Sequence, residues 1–298
     1  MIFALAAPIL IGACSASKKS VRTEILPAFN AEGHRGTRGV MPENTISSMY
    51  RAIDFGVNTV EVDVVFSKDK QVVISHDFYF HHDITTTPEG KTLTAKEAQK
   101  LLIYQMNYDS VKKYDVGLKP HPDFPQQQKV AAYKPLLGEL IDSTLIYASA
   151  KKRKVLFNIE LKVHAANDGT RHPDMPEYVD RVMEVVNAKN LSRGCYLQSF
   201  DFRPLQYLHK KYPAILTAIL ISGSDKRSFE QQLTELGYQP EMYSPHFSVV
   251  NEALVDACHK RGIKIIPWTV NTVEDMRKMK ALGVDGIITD YPNFFSQL

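Results

Sequence analysis

The stretch EVDVVFSKDKQVVISHD, residues 61–77, decides how the chain is wound. Two valine-rich arms, EVDVVF and QVVISH, are separated by the tetrapeptide SKDK at 67–70. Parallel neighbours need a crossover of a dozen or more residues, so a link this short predicts an antiparallel hairpin. With the second arm set aside, eight candidate strands remain: 28–34, 59–66, 154–161, 195–200, 214–222, 242–247, and one within each of 253–270 and 276–290. Helical patterns separate most of them. A helix predicted over 42–55 opens on Pro42, which suits a first helical turn, and ends at Gly56, which suits a left-handed cap. The same helix–Gly–strand unit recurs at 253–270 and 276–290. Such alternation predicts a parallel sheet with crossover helices, and eight strands predict an α/β fold of the (β/α)8 TIM-barrel type. Residues from about 78 to 135 then form an excursion between the second and third barrel strands. It carries a Thr94–Glu97 capping-box spacing and the Pro-rich run GLKPHPDFPQQQ at 117–128. An insertion of that size at the catalytic end of a barrel shapes a substrate pocket or is mere elaboration.

The chain has 298 residues, 44% of them hydrophobic, enough to bury a full core. Length alone fits one large α/β domain, here 28–298, or two smaller ones. Charged residues make up 23%, with a net charge of +3 and both signs interspersed. That balance excludes a dedicated nucleic-acid binder, which needs a concentrated basic patch. The run KKRK at 151–154 falls where a helix should end and complements its dipole.

Residues 1–13, MIFALAAPILIGA, contain no charge and precede Cys14. The run is too short to span a bilayer and suits a signal h-region. Ile11-Gly12-Ala13-Cys14 resembles a bacterial lipobox, although no Lys or Arg precedes the apolar run. The expectation is a signal peptide cleaved before Cys14, attachment to a membrane through the lipidated cysteine, and a periplasmic or outer-membrane-anchored lipoprotein. Cys195 and Cys258 are isolated and match neither a disulfide framework nor a metal spacing.

Residues two apart on a strand share a face. Glu61 and Asp63 therefore point together, with Val60, Val62 and Val64 opposite. In NIELK, Asn158, Glu160 and Lys162 share a face of the next barrel strand. An unpaired buried charge costs several kcal/mol or more, so these acids need a partner. Three carboxylates converging at the C-terminal rim form a site for a hard divalent cation, Ca²⁺ or Mg²⁺. A salt-bridge network around Lys162 is the rival arrangement. His34 closes the first strand, and the hairpin returns His76 toward the same rim. Two histidines beside a carboxylate cluster, with Arg35 adjacent to one, suit proton transfer at a phosphoryl group.

The motifs GHRG (33–36), PENT (42–45), VEVDV, VVISHD, IELK and WTVN…GVDGIITDYP follow one another from about residue 30 to the C-terminus. In that order they resemble the glycerophosphodiester phosphodiesterase family. The resemblance implies that His34 and His76 are the catalytic acid/base pair. It implies that Glu61, Asp63 and Glu160 hold one divalent metal, and that Arg35 and Lys162 bind phosphate oxygens, Arg35 through a two-pronged fork. The implied substrates are small glycerophosphodiesters, such as glycerophosphocholine or glycerophosphoethanolamine, cleaved to sn-glycerol 3-phosphate and an alcohol. The nucleophile is either the substrate's glycerol 2-hydroxyl, through a cyclic phosphodiester, or water. Phe200 and Trp268 end barrel strands, where aromatics wall a glycerol or leaving-group pocket or belong to the core. Glu43 is expected as a helix-dipole partner or a hydrogen-bond partner of an active-site group. Gln198 and His246 are expected near the rim without touching substrate, and His81, His82 and Asp83 as a solvated turn. Three other readings compete: a phospholipase acting on intact lipid, a non-catalytic binding lipoprotein, and a glycosidase, which Arg35 and Lys162 fit poorly.

Overall fold

The computed structural model describes residues 26–298; the expected signal segment and Cys14 lie outside them. Its strands are β1 (Asn30–Gly33), β2 (Thr59–Phe66), β3 (Val72–Ile74), β4 (Leu156–Leu161), β5 (Cys195–Ser199), β6 (Leu216–Ile221), β7 (Met242–Pro245), β8 (Lys264–Ile265) and β9 (Gly286–Thr289). Their order in the sheet is β8-β7-β6-β5-β4-β2-β1-β9, every neighbour parallel. The ends meet through backbone bonds from the Asp285 N–H to the Ile265 oxygen and from the Ile288 N–H to the Pro267 oxygen, so the barrel is nearly closed. β3 lies outside the ring, antiparallel to β2, with Val64 opposite Ile74 and Phe66 opposite Val72. The four-residue link therefore forms the hairpin its length requires.

The helices are α1 (Ile46–Asp54), α2 (Ala95–Ala98), α3 (Tyr108–Val111), α4 (Leu137–Ala150), α5 (Met175–Ala188), α6 (Phe202–Lys211), α7 (Phe229–Leu236), α8 (Glu252–Lys260) and α9 (Val273–Ala281). Val60, Val62 and Val64 face outward and pack with Met49 and Ile53 of α1 and Leu140 of α4 in the main core. Each fully buried aliphatic side chain of this kind contributes about 1.5–3 kcal/mol. Cys195 and Cys258 are free and buried, as expected. The excursion carries its own core, in which Phe80, Ile103 and Val111 pack on Val65 and Val73, the hairpin face that continues from Glu61 and Asp63. Thr94 and Glu97 form the reciprocal capping box.

One expected boundary is wrong. The first crossover helix starts at Ile46, not Pro42, and Thr45 caps it by accepting the Ser48 N–H at 3.2 Å. Asn44 has φ +56°, a left-handed conformation incompatible with a helix already under way. Residues 42–44 form the turn that feeds the barrel mouth. Gly56, with φ +90°, follows the helix end as anticipated.

Inside the barrel the two halves differ. From β5 to β9 the interior is largely apolar, with Leu216, Ala218, Met242, Ile266 and Ile288 in one cluster. From β1 to β5 it is polar: Glu32, Glu61, Asp63, Asn158, Glu160 and Gln198 are all buried. Glu32 is fully buried, and accepts hydrogen bonds from Tyr196, from Asn30 (2.6 Å) and from Asn158 (3.0 Å). Burial outweighs those bonds and raises its carboxyl from 4.5 to about 7. Between those values the folded chain holds a proton that the unfolded chain has released, so this group's contribution to stability is lost as pH rises toward 7. At about 1.4 kcal/mol per pH unit, a rise from 4.5 to about 7 corresponds to about 3 kcal/mol. Glu32→Gln should remove that slope. The Asn158 Oδ1 has no partner, so a flipped Asn158 amide can meet the new NH₂ group. Urea unfolding of both proteins at pH 5 and pH 8 checks it: the variant should gain on the wild type by about 2–3 kcal/mol at the higher pH.

Candidate active site

The GHRG turn brings the first site residues to the barrel mouth. A Cβ on Gly33 would stand 2.1 Å from the Gly36 oxygen, and one on Gly36, which has φ +85°, 2.4 Å from Ser48 Oγ. The close turn between them therefore needs glycine at both ends. It is tied to α1 by Ser48 Oγ, which donates to the Arg35 oxygen at 3.0 Å and accepts the Thr37 N–H at 2.8 Å. His34 and Arg35 are held on the rim as a result.

Glu43 and Asn44 of PENT both act on that rim. Glu43 accepts from Arg35 Nη1 at 2.9 Å and from Arg38 Nε at 2.6 Å. Burial alone would raise its carboxyl, but the two guanidinium groups outweigh burial and hold it well below the usual range. Its role is this bridge rather than a helix-dipole contact. Asn44 donates to Asp63 Oδ2 at 2.8 Å and accepts the Asp63 backbone N–H at 3.2 Å, so its amide holds both the carboxylate and the main chain of that residue.

Glu61, Asp63 and Glu160 converge as the strand register requires, Asp63 lying directly beside Glu160 across the β2–β4 pair. One oxygen from each lies within 4.8 Å of the others. Lys162 donates to Glu160 at 2.6 Å and stands 3.7 Å from Asp63 Oδ1. Arg35 Nε lies 3.3 Å from Asp63 Oδ2, and the Arg35 backbone N–H donates to Glu61 at 2.7 Å. The two acids of β2 then diverge. Burial, and after it the charges of Asp63 and Glu160, push Glu61 well above the usual carboxylate range. Burial also acts against Asp63, but Arg35 and Lys162 outweigh it and hold Asp63 well below that range. A network completed by Lys162 and Arg35 alone would leave no acceptor over, yet Asp63 Oδ1 is buried without a hydrogen-bond partner. Three hard oxygen donors with an unsatisfied buried oxygen among them fit a divalent cation such as Ca²⁺ or Mg²⁺.

The histidines stand on either flank. His34 Nδ1 lies 2.6 Å from Asp290 Oδ1, and its Nε2 faces Glu61 Oε2 at 4.0 Å. Asn271 fixes Asp290, donating to Oδ2 at 2.7 Å and accepting its N–H at 3.0 Å. Burial opposes ionisation of Asp290, but His34 outweighs it and keeps the carboxyl low. His76 Nδ1 lies 3.0 Å from Asp77 Oδ1. Each imidazole thus has one nitrogen paired with a carboxylate, which leaves the other for chemistry.

A cavity of about 190 Å³ opens here, lined by every expected site residue except Asp63, which lies buried beneath it. Phe200 and Trp268 meet edge to face at 5.3 Å on its wall, and Trp268 is fixed by its indole N–H on the Ser244 oxygen at 2.9 Å. Gln198 lines the cavity and points its amide at Glu61 from 3.4 Å, closer to the site than expected. His246 stays outside it, against Trp268. His81, His82 and Asp83 form a half-exposed turn whose ligand atoms also gather within 4.8 Å. Among them, His81 and Asp83 line a second cavity of about 370 Å³, between the excursion and the barrel mouth. Asp290, Asn44 and Asn271 were not singled out from sequence. The signals available were that all three lie in the motifs PENT, WTVN and GVDGIITDYP, and that Asp290 directly follows the last barrel strand, at the rim where catalytic side chains gather.

The sequence pattern of the glycerophosphoryl diester phosphodiesterase family matches residues 34–294. A glycerophosphodiester phosphodiesterase of Caldanaerobacter subterraneus subsp. tengcongensis is 30% identical over 262 residues, covering 87% of this chain and 93% of its own. A Silicibacter pomeroyi protein ascribed to the same activity is 30% identical in its crystal structure, with a TM-score of 0.80 over 91% of this chain and 92% of that one. An Oleispira antarctica phosphodiesterase, solved with the product sn-glycerol-3-phosphate, shares the fold at a TM-score of 0.71 and 24% identity, over 93% of this chain and 98% of its own. The chain belongs to the glycerophosphoryl diester phosphodiesterase family and is a phosphodiester hydrolase of the (β/α)8-barrel type.

Proposed function

We propose that the chain hydrolyses small glycerophosphodiesters to sn-glycerol 3-phosphate and an alcohol, in a reaction that depends on one divalent cation and on His34 and His76 as acid and base. The observation that carries this reading is the convergence of three buried carboxylates, two cationic side chains and two carboxylate-paired imidazoles on one cavity. Glu61, Asp63 and Glu160 would hold the cation. When bound, it supplies Lewis-acid polarisation of the phosphoryl group and offsets the charge that develops there. Arg35 and Lys162 bind the non-bridging phosphate oxygens. Each is already charged and aimed into the site, so no reorganisation is needed as charge builds up. One imidazole takes the proton of the attacking group, either water or the substrate's glycerol 2-hydroxyl, and the other delivers a proton to the departing alkoxide; in the second case a water then opens the cyclic phosphodiester to sn-glycerol 3-phosphate. Phe200 and Trp268 form the apolar wall against which the carbon skeleton of one ester arm rests. The product complex of the Oleispira antarctica neighbour supports a substrate of this size.

Glycerophosphoethanolamine and glycerophosphocholine are the substrates to test. Turnover of both should stop on addition of a chelator and return with excess Ca²⁺ or Mg²⁺. Intact phospholipid vesicles in a parallel assay test the phospholipase reading, which predicts cleavage there and little with the water-soluble diesters. Binding without turnover in every arm would favour the non-catalytic reading.

A further inference from the structure

Lys134 is a buried cation that the chemistry above does not use. It stands in the segment that leaves the excursion, where Pro135 accepts the Ile74 N–H and Leu136 bridges to Val73. Its side chain is 6% exposed, yet it does not line the reaction cavity. Its ammonium donates to Ser75 Oγ at 2.9 Å, and Ser75 Oγ in turn donates to the Asp77 backbone oxygen at 2.7 Å. The Asp77 side chain is the partner of His76 Nδ1, at 3.0 Å. A continuous chain therefore runs from the Lys134 ammonium through Ser75 to the turn that carries Asp77 and His76.

An ammonium placed there is poor economy for folding. It has three N–H donors and, among the described residues, one hydrogen-bond partner, and lies 5.7 Å over the Phe80 ring. Burial pulls it below its ordinary range, against the acids Glu43 and Asp77, which favour the charged form. An unpaired buried charge costs several kcal/mol, so an apolar side chain of similar length at this position should be neutral or stabilising. Groups kept at a cost to stability are found where function requires them. The nearby chemistry supplies a requirement: His76 sits on a short strand end, a third exposed, and needs a fixed direction.

We propose that Lys134 is a positioning residue for His76: its ammonium anchors the Ser75–Asp77 turn and holds the Asp77 carboxylate against the imidazole, so that the free nitrogen faces the reacting phosphodiester. This rests on the acid/base role given to His76 above. Lys134 touches neither substrate nor cation and acts wholly through that turn.

The experiment is a double-mutant cycle with Lys134→Met and His76→Ala, scored by kcat, KM and melting temperature on glycerophosphoethanolamine. Lys134→Met should lower kcat about 10- to 100-fold, the scale of a misdirected catalytic group, with KM changed less than about threefold and the melting temperature steady or raised. In the His76→Ala background the same substitution should change kcat by less than about twofold, since its effect passes through the missing imidazole. Full activity of Lys134→Met, or an equal proportional loss with and without His76, overturns the proposal. Ser75→Ala breaks the link while the ammonium stays, and decides the matter if Lys134→Met does not fold. A smaller loss that vanishes in the His76→Ala background supports the proposal; no loss, or an additive one, overturns it. If His76→Ala itself turns over like the wild type, the acid/base reading fails and takes this inference with it. If His76→Ala is inactive while Lys134→Met is fully active, the Lys134 assignment alone is lost.

Discussion

Replacing His34 by alanine is expected to lower kcat on glycerophosphodiesters by about 10³-fold, within the range for loss of a positioned acid or base. The fold should survive, because the imidazole is a rim group and the GHRG turn is held by backbone contacts and Ser48. Asp290→Asn is the sharper companion test. Asn271 donates to Asp290 Oδ2, so an asparagine at 290 would place its oxygen in that position and turn its NH₂ toward His34 Nδ1. His34 would then carry its proton on Nε2, the reverse of the tautomer favoured by a carboxylate. A loss of about 10²-fold or more in kcat with KM nearly unchanged is the expected result. Activity surviving in both His34→Ala and His76→Ala would show that the acid/base assignment is wrong. Activity surviving in Asp290→Asn alone would show that His34 does not depend on its tautomer.

The second of these tests turns on a residue the sequence did not announce. The hairpin at 61–76 was legible because link length is a one-dimensional quantity: four residues cannot cross a barrel. The carboxylate cluster was legible because strand alternation fixes the face of Glu61, Asp63 and Glu160 before any contact is known. Asp290 and His34 meet across the seam between the last and first strands, and no spacing rule pairs residues 256 positions apart. Asn44 was hidden by a competing signal. Pro42 reads as a helix start, while the structure uses 42–44 as a turn with a left-handed residue, which sends the Asn44 side chain to Asp63. Gln198 was undervalued because an amide on a strand gives no sign of its partner; its closeness to Glu61 depends on how the register carries across β4. Lys134 reads as one more lysine in a polar excursion. Its burial follows from the docking of that excursion on the hairpin, a tertiary event without a local signature.

The carboxylates give the other large expected effect, and two of them should part company. Glu61→Gln and Asp63→Asn each replace an anionic donor with a neutral amide, so each should weaken the cation site enough to abolish cation-dependent turnover, by about 10³-fold or more if the cation supplies the Lewis acid. Their effects on the cation-free protein should have opposite signs. Glu61 is the acid that Asp63 and Glu160 repel, and a neutral amide relieves that repulsion. Glu61→Gln should therefore leave the metal-free fold as stable as the wild type or more so. Asp63 is the acid that compensates Arg35 and Lys162, and it holds Asn44 through two hydrogen bonds. Its loss leaves buried cations short of a partner, which costs about 3–5 kcal/mol. Added Ca²⁺ or Mg²⁺ should raise the melting temperature of the wild type, since a ligand at 100 times its Kd stabilises by about 2.7 kcal/mol, and should raise that of neither variant. Calorimetric titration with each cation, beside thermal melts with and without chelator, separates this from the rival arrangement. A plain salt-bridge network predicts no cation-induced shift in the wild type, and predicts that Glu61→Gln keeps its activity. Either result would remove the cation from the site and leave the cationic side chains that line the cavity, Arg35, Arg38 and Lys162, to face the phosphodiester.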